Sequence, residues 1–181
     1  MKKSRSPGAP IAEELEAVFG RGGLLSRKIT DYRTRPQQLE MAVRVAEAVR
    51  DNAVLVCEAG TGTGKTFAYL VPALLSGGKV IISTGTKPLQ DQLYHRDLPV
   101  VREALNVPVT TALLKGRANY VCHFHLERAK NEGRFMTRDD ARYLTQIERF
   151  AKSSDSGDKS TLSEVPENAG IWSYVTSTRP A

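Results

Sequence analysis

The sequence predicts an α/β fold in which helices flank a parallel sheet, and two observations support this. First, three apolar runs of strand length lie at residues 53–57, 79–83 and 107–114, and the second is contiguous and β-branched. Second, stretches with helical spacing of apolar residues precede and separate these runs. Because strands and helices alternate along the chain, the expected sheet is parallel.

A glycine-rich segment at residues 58–66, Glu-Ala-Gly-Thr-Gly-Thr-Gly-Lys-Thr, directly follows the first run. A strand, a glycine loop ending in Lys-Thr and a helix, in this order, predict a Walker A site and therefore a P-loop NTPase fold. The glycines let several backbone N–H groups point at one phosphate chain, and the N-terminus of the next helix adds positive potential. The expected nucleotide-binding residues are Ala59, Gly60, Thr61, Gly62, Thr63, Gly64, Lys65 and Thr66.

Two side chains of this loop carry the expected chemistry. Lys65 would contact the β and γ phosphates of ATP, and Thr66 would bind Mg²⁺ through its hydroxyl. Ala59 occupies the position of the first glycine in the usual pattern, so the motif is met in its relaxed form. A flexible turn is the alternative for any glycine-rich run. The strand before this one and the helix after it favour phosphate binding.

Composition limits the class of protein. The chain has 181 residues, of which 40% are hydrophobic, and this suits one substantial core with a small appendage. We expect a cytoplasmic protein without a membrane partner, because no apolar run is long enough to span a membrane and no signal-type segment is evident. Cys57 and Cys122 give no disulfide framework, as in a reducing compartment. The net charge of +6 favours a polyanionic partner or simply solubility, and charge alone does not decide.

Capping and periodicity signals predict the positions of the helices in the first half of the chain. Residues 1–10 are expected to be disordered, and an amphipathic helix is expected at 11–19. A longer helix opens at 34–37 with a proline in its first turn, where the missing N–H is harmless. A glycine pair ends the Walker helix, and a further helix should follow from Pro88.

The second half is more mixed. A helix is predicted at 120–131, and a pattern resembling a capping box at 137–140 opens another helix. The polar stretch 153–160 has no periodicity, so it is expected to be a loop or a disordered segment. Residues 171–175 should form a short strand or an ordered turn that packs Trp172.

A polar cluster follows the second predicted strand. Thr84, Thr86 and Gln90 lie where open α/β sheets place their ligands, at the carboxyl end of a strand and the start of the next helix. Hydroxyl groups and backbone N–H groups there suit the phosphates of a nucleic-acid strand. The alternative is that Thr86 is a local cap for the helix that starts near Pro88, and both interpretations can hold together.

A basic cluster follows the third predicted strand. Lys115 and Arg117 flank a glycine, and Tyr120 lies three residues further on. Basic groups beside an aromatic ring suit single-stranded DNA, because the charges follow the backbone while the ring stacks on a base. A solvated charge pair is the alternative.

With these motifs in place, the chain resembles a known family. The segments E-A-G-T-G-T-G-K-T, S-T-G-T-K-P-L-Q-D-Q-L and K-G-R-x-N-Y-x-C resemble those of the DinG/YoaA-type helicases, bacterial relatives of XPD in helicase superfamily 2. The resemblance covers about residues 29–181 and is strongest to the YoaA branch. It implies an N-terminal extension at 1–28, part of a RecA-like ATP-binding lobe at 29–121, and the start of an iron-sulfur insertion at 122–181. It also implies a 5′ to 3′ ATP-dependent DNA helicase that acts in DNA repair or replication.

The resemblance assigns two further positions. Gln38 falls where such helicases place the glutamine that reads adenine, although Gln37 is a competing register and a helix-surface glutamine is the plain alternative. Cys122 matches the first of four cysteines that bind a 4Fe-4S cluster, and the other three are missing here. His123 and His125 lie nearby on a predicted helix that cannot direct three ligands at one metal, so we expect surface or core histidines.

Departures from the family pattern limit what this chain is expected to do. No strand ends in an Asp-Glu-Ala-His type sequence, and a second motor lobe with its arginine finger is missing, as expected for an incomplete first lobe. We therefore expect the chain to bind ATP, Mg²⁺ and single-stranded DNA without efficient turnover. A small P-loop kinase and a non-enzymatic nucleotide- or DNA-binding module remain alternatives. The position of the P-loop near residue 60 and the lack of an arginine-rich lid argue against the kinase.

Overall fold

The computed structural model describes residues 11–133 and 137–177, so the disorder predicted for residues 1–10 lies outside the described part. The chain divides into two compact units, 1–112 and 113–181. Among the described helices, none is long and apolar enough to cross a lipid bilayer.

The first unit is built from helices. They are α1 (Ile11–Phe19), α2 (Pro36–Asp51), α3 (Lys65–Leu75), α4 (Lys87–Gln92), a π-helical turn (Leu93–Asp97) and α5 (Leu98–Leu105). The helices predicted at 11–19 and from 34–37 are confirmed. Pro36 occupies the first turn of α2, and Asn52 ends that helix in the left-handed conformation with φ 49°.

The core of the first unit joins α1, α2, α3 and α5. Leu15, Val18 and Phe19 of α1 are buried in the same cluster as Leu70 of α3 and Val101 of α5. The helix α3 packs against both α2 and α5. It is the central helix of the unit, so its N-terminus, where the Walker loop ends, is held by packing on several sides.

The predicted parallel sheet is not confirmed. The segments 53–57, 79–83 and 107–114 have no regular secondary structure, and the described residues contain no paired β-strand. Val54, Val56 and Ile81 each expose more than nine-tenths of their surface, and Cys57, expected in a buried strand, is also exposed. An apolar β-branched run indicates a preference for burial in a sheet, but a strand exists only where a neighbour supplies its hydrogen bonds.

The second unit is also helical. Its elements are a 3₁₀ turn (Arg117–Asn119), α6 (His123–Glu132), α7 (Arg138–Ser153), a second 3₁₀ turn (Lys159–Thr161) and α8 (Trp172–Val175). The capping box predicted at 137–140 is confirmed, since Thr137 and Asp140 exchange hydrogen bonds of 3.1 Å in both directions. The helix predicted from 120 begins instead at His123. Tyr120 and Val121 form β-bridges with Asp158 and Thr176, and these bridges hold the backbone outside a helix.

The core of the second unit is organised around Trp172. Its ring is buried beside Leu126, Ile147 and Val175, and its indole N–H donates to the Pro166 carbonyl over 2.9 Å. The segment 171–175 therefore forms a single helical turn that packs Trp172. Of the two predicted alternatives, the ordered turn is confirmed and the short strand is wrong.

Candidate nucleotide site

The Walker loop has the backbone conformation that its glycines predict. Gly62 and Gly64 adopt φ of 78° and 80°, in the left-handed region that side chains disfavour. A Cβ added at Gly60 or Gly62 would meet no atom within 4 Å, so this side of the loop is open. An open loop that leads into the N-terminus of α3 is the arrangement that accommodates a phosphate chain.

Lys65 lies across its own loop. Its ammonium donates to the carbonyl oxygens of Ala59 and Gly60 over 2.7 and 2.8 Å, and the Thr63 hydroxyl donates to the same Gly60 oxygen over 2.9 Å. These bonds hold the cation next to the open face of the loop while its side chain remains exposed. An exposed cation satisfied only by backbone carbonyls can exchange one of them for a phosphate oxygen, which is a stronger, charge-assisted partner.

Thr66 follows at the first turn of α3 and is half-buried. Its hydroxyl is hydrogen-bonded to that of Tyr69, one helical turn further on. Burial raises the pKa of Tyr69 above its usual value, the bond to Thr66 opposes the rise, and the charge of Asp97 adds to it. Tyr69 is therefore a neutral phenol beside Thr66. Sequence reasoning missed this residue, although its spacing of three from Thr66 on a predicted helix was a usable signal.

Gln38 is buried and contacts the Walker loop. Its amide nitrogen donates to the Gly64 carbonyl over 2.9 Å, and its amide oxygen accepts from the Tyr32 hydroxyl over 3.4 Å. A Cβ added at Gly64 would overlap the Gln38 amide nitrogen, so the approach depends on glycine. Gln37, the competing register, is exposed. The structure brings Gln38 and the Walker loop together, and which glutamine reads adenine stays a prediction.

A cleft of about 260 Å³ lies beside this network. Its lining residues are Arg21, Gly22, Ser26, Tyr32, Arg33 and Thr34. Burial raises the pKa of Tyr32, the charge of Arg35 lowers it and that of Glu16 raises it, so the phenol stays neutral at physiological pH. The sequence does not predict this cleft, because the α1–α2 connection shows no periodicity that would place its side chains.

The residues of the first unit that are predicted to bind DNA make hydrogen bonds within their own segment. The Thr86 hydroxyl caps α4 by accepting from the Leu89 N–H over 3.4 Å, so the capping alternative is present. The Thr84 hydroxyl donates to the Thr86 carbonyl, also over 3.4 Å. Thr84 and Gln90 are half-buried and Thr86 is exposed.

In the second unit, Lys115 is not the exposed cation that its sequence context suggests. Its ammonium lies 2.9 Å from the Asp158 carboxylate and 3.1 Å from the Ser160 hydroxyl, and the two charged side chains are 5% and 10% exposed. The Lys115 backbone N–H donates to the Tyr120 hydroxyl over 2.8 Å. Arg117, by contrast, is exposed. Lys115 therefore anchors the segment, while Arg117 is the cation that faces solvent.

This ion pair also anchors the stretch 153–160, for which the sequence predicts a loop or a disordered segment. Burial by itself raises the pKa of the Asp158 carboxyl. The hydrogen bonds from Lys115 and Ser160, with the positive charge of Lys115, more than offset this, so the pKa is lowered overall. Asp158 is therefore ionised and paired at neutral pH.

The residues present can be compared with what Mg·ATP and a 4Fe-4S cluster, the two ligands that the motifs imply, would each require. An ammonium, a hydroxyl and an open glycine loop fit a phosphate chain with Mg²⁺. A 4Fe-4S cluster does not fit, since it needs four thiolates and the 181-residue sequence has two, in different units. No group of three or more His, Cys, Asp or Glu that could hold a metal is found at 11–133 or 137–177. Cys122 is half-buried, His123 is exposed and His125 is buried.

Comparison with known proteins agrees with the site. Residues 36–128, just over half of the chain, match the DEAD/DEAH box helicase family, so the chain belongs to that family. It is 45% identical over 165 residues to the ATP-dependent DNA helicase YoaA of Haemophilus influenzae, which covers 91% of this chain and 26% of that protein. It is also 45% identical over 160 residues to YoaA of Escherichia coli, covering 88% and 25%.

A second group of relatives carries the name DinG. The ATP-dependent helicase DinG of Mycobacterium tuberculosis is 44% identical over 118 residues, covering 61% of this chain and 17% of that protein. The resemblance to DinG/YoaA-type helicases is thereby confirmed. The chain spans about a quarter of the length of the YoaA relatives.

The buried ion pair generates a prediction for stability. Lys115→Met should destabilise the second unit by roughly 3 kcal/mol, because it leaves the Asp158 carboxylate buried without its cation. Trp172 is the only tryptophan of the chain and is buried in this unit, so urea unfolding followed by its fluorescence measures the effect. Lys152→Met is the matched control. That ammonium is 74% exposed in a pair with Glu148, and its loss should change stability by less than about 0.5 kcal/mol.

The same pair has a pH signature with a definite sign. Because folding lowers the pKa of Asp158, the pair stabilises fully above the ordinary carboxyl pKa of about 4 and loses this contribution as the pH falls through the folded value. The stability of Asp158→Asn should therefore depend less on pH in this acid range than that of the wild type. Parallel acid profiles for the two proteins would contradict the assignment.

Proposed function

We propose that this chain is the ATP-binding N-terminal part of an ATP-dependent DNA helicase of 5′ to 3′ direction, acting in DNA repair or replication in the cytoplasm. The observation that carries the proposal is the Walker loop, with its two left-handed glycines, Lys65 poised over it and Gln38 packed beneath it. Membership of the DEAD/DEAH box helicase family and the similarity to the ATP-dependent DNA helicase YoaA support the reaction class.

The chemistry of the site follows from residues of this chain. The loop amides and the N-terminus of α3 would hold the phosphates, and the Lys65 ammonium would neutralise charge at the β and γ positions. Mg²⁺, when bound to the Thr66 hydroxyl, would neutralise further phosphate charge. Gln38 would hold the loop in place from below, and either Gln37 or Gln38 would read the base.

The proposed domain organisation follows the resemblance. Residues 1–28 would form an N-terminal extension, residues 29–121 part of the ATP-binding lobe, and residues 122–181 the start of an iron-sulfur insertion. In a longer protein of this type, Cys122 would be the first of four thiolates on a 4Fe-4S cluster.

Single-stranded DNA is the proposed partner. Thr84, Thr86 and Gln90 would contact its phosphates from the first unit, where hydroxyl, amide and backbone N–H groups are exposed or half-buried. In the second unit, Arg117 would contact the backbone, and the half-buried ring of Tyr120 would pack against a base. Lys115 would support Arg117 indirectly, because its ammonium is buried in the ion pair with Asp158 and holds the turn in place.

Nucleotide binding should depend on Lys65. Lys65→Ala is expected to weaken ADP or ATP binding by about tenfold or more, because a charge-assisted phosphate contact contributes about 1.5 to 3 kcal/mol. Lys79→Ala, which removes an exposed charge from the same unit, is the control. Equal affinities for the wild type and Lys65→Ala in titration calorimetry would show that residues 58–66 do not form a Walker A site.

DNA binding should depend on salt, with a contribution from Arg117. Affinity for single-stranded DNA is expected to fall steeply with salt as counterions are released, and Arg117→Ala should flatten the log–log slope by about one phosphate contact. Arg149→Ala, an exposed arginine on α7, is the matched control for net charge. Fluorescence anisotropy that detects no binding even at low salt would contradict the proposal.

Turnover by the 181-residue chain should be close to background. Its sequence has no Asp-Glu-Ala-His box to complete the Mg²⁺ site and no arginine finger, and the finger alone contributes about 10³ to 10⁵ in rate. Steady-state ATPase assays with and without single-stranded DNA test this. DNA-stimulated turnover would show that the chain is a working motor, and phosphate transfer to a small acceptor would favour the kinase alternative.

A further inference from the structure

We propose that Tyr32 is a positioning residue that links the end of α1 to the Walker loop through Gln38. The inference rests on the proposed function, because it concerns the same nucleotide site. According to this inference, α1 and the segment before α2 help to fix the position of the Walker loop.

The first step is the position of the Tyr32 hydroxyl. It has one proton and lies near two acceptors, the Phe19 carbonyl at 2.9 Å and the Gln38 amide oxygen at 3.4 Å. Phe19 is the last residue of α1, so its carbonyl has no partner within its own helix. The proton is therefore shared unequally: the main bond is to the carbonyl at the end of α1, and the longer arm reaches the buried amide.

The second step is the burial of Gln38. Only 2% of this residue is exposed, so its amide cannot exchange its protein partners for bulk water. Its nitrogen faces the Gly64 carbonyl over 2.9 Å, and a reversed amide would place two oxygens against each other. In the described part of the chain, the Gln38 amide oxygen accepts a hydrogen bond from Tyr32. The Gly64 carbonyl thus excludes the reversed amide, and the phenol contributes a donor to the amide oxygen in the orientation that remains.

The third step is the position of Gly64 itself. Its carbonyl accepts from both the Gln38 amide and the Ala68 N–H, the latter over 3.2 Å, which starts α3. With φ at 80° and no room for a Cβ beside the amide, Gly64 cannot move without moving Gln38. Lys65 is the next residue, so any displacement of the amide reaches the phosphate-binding side chain through one peptide bond.

The test is a double-mutant cycle on the 181-residue chain, with ADP affinity measured by calorimetry. Tyr32→Phe keeps the ring and removes the hydroxyl, and it should weaken ADP binding by about three- to tenfold. Gln38→Met keeps the length of the side chain and removes its polar atoms. On that background, Tyr32→Phe should change affinity by less than about twofold, because the partner through which it acts is gone.

A matched control and a nucleotide-free measurement complete the design. Tyr94→Phe removes the hydroxyl of another half-buried tyrosine of the first unit, one that reaches the Thr111 carbonyl at 3.5 Å, and it should leave ADP affinity unchanged. Without nucleotide, Tyr32→Phe should speed amide hydrogen exchange at residues 59–66 by about threefold or more, while exchange in the second unit stays the same.

The outcomes separate the inference from the proposed function. An equal loss of affinity from Tyr32→Phe on both backgrounds would overturn the relay, since the ring or hydroxyl would then act on the nucleotide directly. Unchanged exchange at 59–66 would overturn it as well. A wild-type chain that binds no ADP would refute nucleotide binding, while faster exchange in Tyr32→Phe would still support the link from α1 to the loop.

Discussion

The close packing of the Gln38 amide against Gly64 is the constraint on which the candidate site depends. It requires glycine at a left-handed position, it uses a buried side chain from α2, and it fixes the residue that precedes Lys65. Helices α1 and α3 are tied to the same point through Tyr32 and the Gly64 carbonyl. A loop that must present several N–H groups to a phosphate chain gains from such preorganisation, because less order has to be imposed on binding.

The second unit depends on a different kind of constraint. A buried lysine and a buried aspartate hold the turn at 115–120 against the loop at 158–160, and Trp172 fills the core beside them. Burying one charge is costly, so the pair is stable only when both partners are in place. The two basic residues of this turn therefore differ: Lys115 is buried and supports the turn, whereas Arg117 is exposed to solvent.

Placing the chain in the DEAD/DEAH box helicase family gives these constraints a shared purpose. A helicase lobe must bind nucleotide tightly enough to respond to its phosphates and must transmit that response to elements that hold DNA. On the proposed function, the network from α1 through Tyr32 and Gln38 to Gly64 would be one route for such a response within the first unit. Its hydrogen bonds, of 2.9, 3.4 and 2.9 Å, join buried or half-buried groups, and such bonds are stronger there than in water.

By itself, the sequence determined several helices, one cap and the backbone conformation of the Walker loop. Helices α1 and α2 and the Thr137 cap follow from spacing and capping residues, and the glycines at 62 and 64 adopt the conformation that their type allows. Only the tertiary structure decided the partners: the burial of Lys115 by Asp158, the turn around Trp172, and the meeting of Gln38 with Gly64. The predicted strands show the same limit, since 53–57 and 79–83 are apolar but unpaired. Periodicity and caps depend on neighbours within a few residues, whereas burial, ion pairs and strand pairing depend on groups far apart in the chain.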